Sequence, residues 1–294
     1  MSTAPPPDVI HVDALHYTYA GAETAAVRAL RFDVRRGEVF GFLGPSGAGK
    51  STTHNILIGH LRGYQGTVDV LGQPLAAWGG ELYRQIGVSF EQPNHYLKLT
   101  ARENLEYFRA LYDGQAEPAI NALERVGLAA HADRRVGEFS KGMKNRLNVA
   151  RSLLHRPTLW FLDEPTAGLD PVNAVRIREL IAEQQARGVT VVLTTHDMTT
   201  ADQVCDRVAF ILDGQIVAID APAALRQRYG RRDVLVRWEG DVATPAGQAS
   251  FPLDGLADDD AFAAALRQPG LAAVHSQEAT LEEVFVAVTG RRLV

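Results

Sequence analysis

Eight consecutive residues with the order Gly-Pro-Ser-Gly-Ala-Gly-Lys-Ser satisfy the spacing G-x-x-x-x-G-K-S/T. Glycines at these positions allow backbone N–H groups to curl around phosphates, and a following helix start adds positive potential. The lysine would reach the β- and γ-phosphates, and the last hydroxyl would ligate Mg²⁺. The alternative, a glycine-rich turn with a surface lysine, does not explain the apolar strand before the motif or the helical pattern after it. The predicted phosphate site comprises Gly44, Pro45, Ser46, Gly47, Ala48, Gly49, Lys50, Ser51 and Thr52.

Two adjacent carboxylates form a second candidate group. Asp163 and Glu164 directly follow Leu159–Leu162, an apolar run typical of a buried strand. Open α/β sheets place their chemistry at the carboxyl ends of their strands. We expect Asp163 to hold Mg²⁺, directly or through water, and Glu164 to polarise the water that attacks a γ-phosphate. A solvated turn with two acids is the alternative, and it leaves the hydrophobic strand and the glycine-rich loop unexplained.

An α/β fold with a parallel sheet would bring these two motifs together. The pattern predicts a buried strand at Glu38–Leu43, a helix at Lys50–Gly59, a helix at Pro171–Ala186 capped by Asp170, and a strand at Thr190–Thr194. Between the two motifs the pattern is helical. Further strands are predicted at Val9–Tyr19, Ala29–Val34, Arg207–Leu212 and Gln215–Ile219. Further helices are predicted after the capping-box residues Thr100 and Thr280, at Pro118–Val126 and from Ser140 to Leu154.

Three more motifs accompany the glycine-rich loop and the acidic pair along the chain: one lies between those two, and two follow the acidic pair. They are Phe139-Ser140-Lys141-Gly142-Met143 at a helix start, Ala167-Gly168-Leu169-Asp170, and Thr195-His196-Asp197 after a core strand. This ordered set resembles the ATP-binding subunit of ATP-binding cassette (ABC) transporters, from about Val9 to Asp220. The three motifs match the family's signature, its D-loop and its switch-histidine region. The resemblance implies a P-loop NTPase core with an antiparallel β-subdomain and a helical subdomain.

The resemblance also implies a role for each motif. Tyr19, or alternatively Tyr17, lies where the family stacks an aromatic ring on adenine. His196 would contact the γ-phosphate and hold Glu164 in place. In the family the signature completes the ATP site of a second subunit, so Ser140 and Gly142 would contact nucleotide across a head-to-tail dimer. We therefore expect Asp170 to lie at this nucleotide site, and we expect ATP and Mg²⁺ as cofactors.

Two positions depart from the family pattern. Alignment puts Glu91 where the family has its Q-loop glutamine, with Gln92 one place later. A Glu91 oxygen would still ligate Mg²⁺ but would add negative charge, and a local shift would give the role to Gln92 instead. The signature reads FSKGM, which keeps Ser140 and Gly142 and resembles signatures of bacterial exporters. The other motif residues are complete, so we expect a site competent for hydrolysis.

The family resemblance implies a separate membrane permease as partner, a position at the cytoplasmic face of the membrane, and no nucleic acid. The segment Pro93–Leu99 would receive the permease through Tyr96, Leu97 and Leu99, although packing of the helical subdomain explains these residues equally well. Ala279–Arg291 resembles the tail of drug- and antibiotic-exporter ATPases, and Ile86–Leu105 resembles cassettes of fluoroquinolone exporters. Import remains an alternative to export, and a cassette ATPase acting on ribosomes or nucleic acid is the alternative outside transport.

Composition limits the remaining possibilities. The chain has 294 residues, a net charge of −5 and 46% hydrophobic residues, which suits packed domains rather than disorder or general nucleic-acid binding. Its single cysteine, Cys205, excludes an internal disulfide. No apolar run approaches the ~18 residues that span a bilayer. We predict a disordered lead at 1–8, an ATPase domain at 9–231 with its helical subdomain at about 98–156, and a small α+β domain at 232–294.

Overall fold

The computed structural model describes residues 8–112, 116–240 and 246–291, and these form two compact units. The first unit ends at Ala221 and the second begins at Pro222, ahead of the boundary predicted at 231–232. Residues 1–7 of the predicted disordered lead lie outside the described residues, and Asp8 already belongs to a strand. Within the described residues, no helix combines the length and the apolar character that a bilayer crossing requires.

The elements follow one another in a mixed order of strands and helices. The strands are β1 (Asp8–Tyr17), β2 (Val27–Arg35), β3 (Val39–Leu43), β4 (Gln65–Val70), β5 (Gln73–Pro74), β6 (Ile86–Ser89), β7 (Leu159–Asp163), β8 (Thr190–Thr195), β9 (Arg207–Leu212), β10 (Gln215–Asp220), β11 (Arg232–Trp238), β12 (Gly247–Pro252) and β13 (Leu271–Glu278). The helices are α1 (Lys50–Leu57), α2 (Leu82–Gln85), α3 (Ala101–Arg109), α4 (Ala119–Arg125), α5 (Lys141–Leu153), α6 (Pro171–Ala186), α7 (Met198–Val204), α8 (Pro222–Tyr229), α9 (Asp260–Leu266) and α10 (Leu281–Thr289).

A six-stranded sheet with the order β10-β9-β3-β8-β7-β6 forms the centre of the first unit. The neighbours from β9 to β6 are parallel, and β10 is antiparallel to β9. All residues of β3, β7 and β8 are buried, as expected of parallel strands that are covered on both faces. Trp160, Phe40 and Phe210 are among the largest fully buried side chains. The buried strands predicted around both motifs are therefore present.

A four-stranded antiparallel sheet, β2-β1-β4-β5, packs its apolar face into the same core. The helical segment contains α3, α4 and α5, which contact one another, and α5 also contacts β6 and β7. Helix α3 begins with the predicted capping box, in which Thr100 and Glu103 exchange side-chain and backbone hydrogen bonds. The sequence analysis did not predict β4 or β6, although Val68 and Val70 alternate with polar residues between two glycines and could have indicated β4.

The second unit has a three-stranded antiparallel sheet, β12-β11-β13, with α9 packed against it. Val234 and Val236 are buried, and the indole Nε1 of Trp238 donates to the carbonyl oxygen of Ala265 at 3.0 Å. Helix α8 contacts α10, which explains why the unit begins before the predicted boundary. Helix α10 starts with the second predicted capping box, at Thr280. The sequence did not predict β13, whose residues show no regular alternation.

His54 is a buried polar side chain in the core of the first unit. It is fully buried on α1, its ring meets Phe161 edge-on with centroids 5.5 Å apart, and neither ring nitrogen has a hydrogen-bond partner among the described residues. Burial lowers the pKa of His54 to about 4. His54 therefore packs in the core as a neutral ring.

We predict that this buried imidazole makes the fold sensitive to acid. In the unfolded chain the His54 imidazole has a pKa near 6.5, so it binds a proton at a higher pH than in the folded chain. The free energy of unfolding is therefore highest above pH 6.5 and decreases as the pH falls toward 4. The loss at pH 5.5 is about 1 kcal/mol. Urea titrations at pH 7.5 and 5.5 should show that His54→Leu removes about this much of the pH-dependent loss. The exposed control His131→Leu should keep it, and an equal loss in His54→Leu and wild type would contradict the prediction.

Candidate active site

The glycine-rich loop connects β3 to α1 and depends on its glycines. Gly47 (φ 79°) and Gly49 (φ 107°) adopt left-handed backbone conformations, which glycine tolerates without steric cost. A Cβ atom at Gly49 would lie 2.7 Å from the carbonyl oxygen of Ala26, and one at Gly44 would lie 2.2 Å from that of Ile211. The loop therefore adopts a tight curve that side chains would prevent at these positions.

Lys50, the first residue of α1, is held by the loop itself. Its Nζ donates to the carbonyl oxygens of Gly44 at 2.6 Å and of Pro45 at 3.0 Å. Burial lowers the pKa of Lys50, and neighbouring carboxylates partly oppose this shift. The ammonium group thus folds back over the loop, at the place where a phosphate cradle needs its cation.

Tyr19 lies beside the start of α1. Its hydroxyl is 3.1 Å from Oγ1 of Thr52, and its ring meets that of Tyr17 edge-on with centroids 5.0 Å apart. Tyr19 is 43% exposed, whereas Tyr17 packs against the hydrophobic core. Of the two candidate adenine-stacking residues, Tyr19 has the more accessible ring.

The two predicted carboxylates are held by the neighbouring strand β8. Asp163, the last residue of β7, accepts a hydrogen bond from the hydroxyl of Thr194. Glu164 has φ 48°, an uncommon value for a residue with a side chain. Its Oε2 accepts from the Thr195 hydroxyl at 3.1 Å, and its Oε1 lies 2.8 Å from Nδ1 of His196. The Glu164 side chain is only 11% exposed, so these contacts fix its position.

The register of the parallel strands brings the groups together. Leu43, at the end of β3, pairs with Thr195 at the end of β8, and Asp163 pairs with Thr194. A cavity of about 350 Å³ lies beside these strand ends. The residues that line it are Ser46, Gly47, Gly49, Lys50, Ser51, Thr52, Glu91, Glu164 and His196.

Several predicted site residues do not line this cavity. Gly44, Pro45, Ala48 and Asp163 belong to the motifs next to it, and Tyr19 touches it only through Thr52. Ser140, Gly142 and Asp170 lie elsewhere in the chain's structure. Ser140 caps α5 by accepting from the backbone N–H of Met143, and Asp170 caps α6. A Cβ atom at Gly142 would lie 3.3 Å from Leu169, so the signature and the D-loop segment pack together.

The structure separates the two candidates for the Q-loop position. Glu91 lines the cavity beside the glycine-rich loop, whereas Gln92 lines a different cavity of about 480 Å³. The backbone just before Glu91 is tied to α5, because the Asn148 amide donates to the carbonyl oxygen of Phe90 at 2.8 Å and to the hydroxyl of Ser89 at 3.1 Å. This arrangement favours Glu91 over Gln92.

Sequence reasoning did not identify Thr194, Thr195 or Asn148 as site residues. The two threonines were predicted only as parts of a strand and of a motif, and their contacts with the carboxylates depend on strand register. Asn148 lies in the middle of a helix, and no motif marks it. The one available signal was a polar residue within the apolar pattern of a predicted helix. In the structure this residue, Asn148, is 1% exposed.

Comparison with known families gives two matches. A model described as ABC transporter matches residues 27–167. A second model, described as fluoroquinolone efflux ABC transporter C-terminal domain, matches residues 232–278. The first match contains the glycine-rich loop, the signature motif and the acidic pair, and the second lies within the smaller unit.

Curated relatives are similar over nearly the whole chain. A fluoroquinolones export ATP-binding protein of Mycobacterium tuberculosis (strain H37Rv) is 53% identical over 97% of this chain and 95% of its own length. The Nod factor export ATP-binding protein I of Burkholderia orbicola is 36% identical over 91% of this chain and 93% of its own. Both similarities extend through the two compact units.

Solved structures share the fold of the larger unit. An ATP-binding subunit of an ABC transporter is 29% identical with a TM-score of 0.67, over 75% of this chain and 93% of its own. A cassette described as a dimeric post-hydrolysis state with ADP and Pi is 26% identical with a TM-score of 0.66, over 72% of this chain and 98% of its own. The predicted α/β cassette fold is confirmed. The chain belongs to the ATP-binding subunits of ABC transporters, among those of the exporter type.

Proposed function

We propose that this chain hydrolyses ATP to drive the export of a small molecule or drug through a separate membrane permease. One observation carries the proposal: the glycine-rich loop, the acidic residue Glu164 and His196 come from three neighbouring strand ends and meet at one cavity. The export proteins among its relatives support transport rather than action on ribosomes or nucleic acid.

Nucleotide binding follows from the loop and the tyrosine beside it. The backbone N–H groups of the loop and the start of α1 would bind the phosphates, with the Lys50 ammonium on the β- and γ-phosphates. Tyr19 would stack its exposed ring on the adenine. The hydrogen bond between Tyr19 and Thr52 links the two ends of this binding region.

The oxygen donors beside the loop fit Mg²⁺. Ser51 offers a hydroxyl, and Asp163 and Glu91 offer carboxylates, the donor type that Mg²⁺ prefers. Among the described residues, no group of three or more His, Cys, Asp or Glu side chains is placed to hold a metal ion, so substrate phosphates or water would supply the rest of its coordination. When bound, the ion would neutralise phosphate charge.

Glu164 is the proposed general base. A base must have a fixed orientation, and Glu164 receives it from the Thr195 hydroxyl and from His196. Thr195 in turn accepts from the backbone N–H of Asp197 at 2.9 Å, so its hydroxyl hydrogen is directed to Glu164. His196, whose side chain is 65% exposed, would lie close enough to the γ-phosphate to contact it.

The positions of Ser140, Gly142 and Asp170 support a shared site between two copies. None of them lines the cavity of its own chain, which agrees with the contacts across a second subunit that the family resemblance implies. Ser140 begins α5, whose N-terminus favours anions. Val172, at the start of α6 beside Asp170, is 76% exposed. Such an exposed apolar side chain is suited to an interface. We infer a head-to-tail dimer of this chain or of this chain with a close relative.

A permease would dock on the segment Pro93–Leu99 and hold the chain at the cytoplasmic face of the membrane. Tyr96 and Leu97 are exposed there, and Leu99 is half-buried. The buried Asn104 holds the backbone of Tyr96 at both its N–H and its C=O. The apolar groups are therefore presented on a fixed segment rather than on a loose loop.

The proposed cargo class comes from the relatives. The 53% identical relative is named for fluoroquinolones, and others are named for Nod factor and for bacitracin. These names favour export of a drug-like small molecule and do not favour import. Sequence identity across both units makes a fluoroquinolone-like compound the first candidate to test.

We predict that Thr195→Val lowers kcat for ATP hydrolysis about tenfold and changes KM less than threefold. The substitution keeps the shape of the side chain but removes the hydroxyl that positions Glu164. Steady-state ATPase measurements give both constants. Thr190→Val, which removes a buried hydroxyl at the other end of β8, is the control. Full kcat in Thr195→Val, or an equal loss in the control, would contradict the role of Thr195.

We predict that Glu164→Gln traps a dimer with ATP and Mg²⁺. The amide cannot act as the base, so the nucleotide that holds the two copies together persists. Size-exclusion chromatography should show the dimer, and adding Ser140→Ala should return the chain to a monomer. The exposed control Ser276→Ala should leave the dimer intact. A Glu164→Gln variant that stays monomeric or hydrolyses ATP at the wild-type rate would refute the shared site.

We predict that Leu97→Asp releases the chain from membranes that contain its permease. Leu97 is 53% exposed on the proposed docking segment, and a carboxylate there would lose its hydration on docking. Val217→Asp, which replaces a 40% exposed valine on β10, is the matched control. Membrane sedimentation should show a several-fold loss for Leu97→Asp alone. Equal retention of both variants would exclude this segment as the docking site.

A further inference from the structure

Glu91 brings a carboxylate into the cavity at a place where the resemblance implies a neutral glutamine amide. It lines the cavity together with Lys50, Glu164 and His196. Unlike Glu164, it makes no side-chain hydrogen bond or ion pair with another described residue. Among the described residues that line the cavity, the one cation that it influences is the Lys50 ammonium, which it shares with Glu164 and Asp163. The inference below depends on the proposed nucleotide site.

The charges around the cavity are unbalanced. Of the described residues that line it, Lys50 is the only lysine or arginine, whereas Glu91 and Glu164 both contribute carboxylates. Asp163 adds a further carboxylate directly beside the cavity, and all three acids act on the Lys50 ammonium. An approaching polyphosphate thus meets more negative than positive side-chain charge.

The backbone next to Glu91 is firmly held. The buried Asn148 amide binds the carbonyl oxygen of Phe90 and the hydroxyl of Ser89. On the other side, the Arg151 guanidinium donates to the carbonyl oxygen of Asn94 at 2.7 Å. Contacts from α5 thus anchor the backbone on both sides of Glu91, which keeps the base of its side chain beside the cavity.

We propose that Glu91 makes this site select nucleotide carrying a divalent cation and reject metal-free nucleotide. Free ATP has about four negative charges near pH 7, and a bound Mg²⁺ halves that number. Glu91 is exposed, so water and salt screen its repulsion of a phosphate oxyanion until the two groups come close together. A glutamine at position 91 would exert no such charge repulsion, so the selection depends on this carboxylate.

The test compares the affinity for a fluorescent ATP analogue in Mg²⁺ with that in EDTA. The ratio of the two Kd values, EDTA over Mg²⁺, measures the selection. In Glu91→Gln the ratio should fall about tenfold, because binding in EDTA becomes tighter. The double variant Glu91→Gln with Gln92→Glu keeps the net charge but moves the carboxylate to a residue that lines the other cavity. It should behave like the single variant.

Each outcome decides the proposal. A fall of threefold or more in both variants, caused by tighter binding in EDTA, supports it. A smaller fall, or a fall caused only by weaker binding in Mg²⁺, overturns it. A double variant with the wild-type ratio also overturns it, because the effect would then follow net charge rather than position 91. Failure of the wild-type chain to bind the analogue even in Mg²⁺ would instead refute the proposed function.

Discussion

The backbone pairing of three parallel strands is the constraint on which the site depends. Because β3, β8 and β7 pair in register, the glycine-rich loop, His196 and the acidic pair emerge at the same edge of the sheet. A register shift of one residue would move every side chain of the shifted strand to the opposite face. The complete burial of these strands fixes the register. The hydrophobic core therefore determines where the polar side chains at the strand ends, Glu164 and His196, are placed.

The polar contacts around Glu164 depend on this framework. Thr194 and Thr195 are neighbours on β8, yet one contacts Asp163 and the other contacts Glu164. This division is possible because β7 ends where Glu164 takes a left-handed backbone conformation and turns its side chain toward His196. Two adjacent acids thereby obtain different surroundings, as two different roles require.

The sequence predicts well those features that local spacing determines. The phosphate loop, both capping boxes and the helix Pro171–Ala186 depend on residues that lie close together in the chain, and each is present. Features that depend on distant pairing were not found. Thr195 meets Glu164 only through strand register, and Asn148 reaches Phe90 only through the packing of α5 on the sheet. No local pattern indicates such contacts, because the two partners are separated by dozens of residues.

Helix α5 carries two separate contacts along a single rigid axis. Ser140 caps its first turn. Asn148 lies about 12 Å further along the helix axis and donates a hydrogen bond to the carbonyl oxygen of Phe90, directly before Glu91. Because one helix carries both contacts, a displacement of its first turn would also move the backbone next to Glu91. Through this helix, a contact made at Ser140 would be connected directly to the cavity that Glu91 lines.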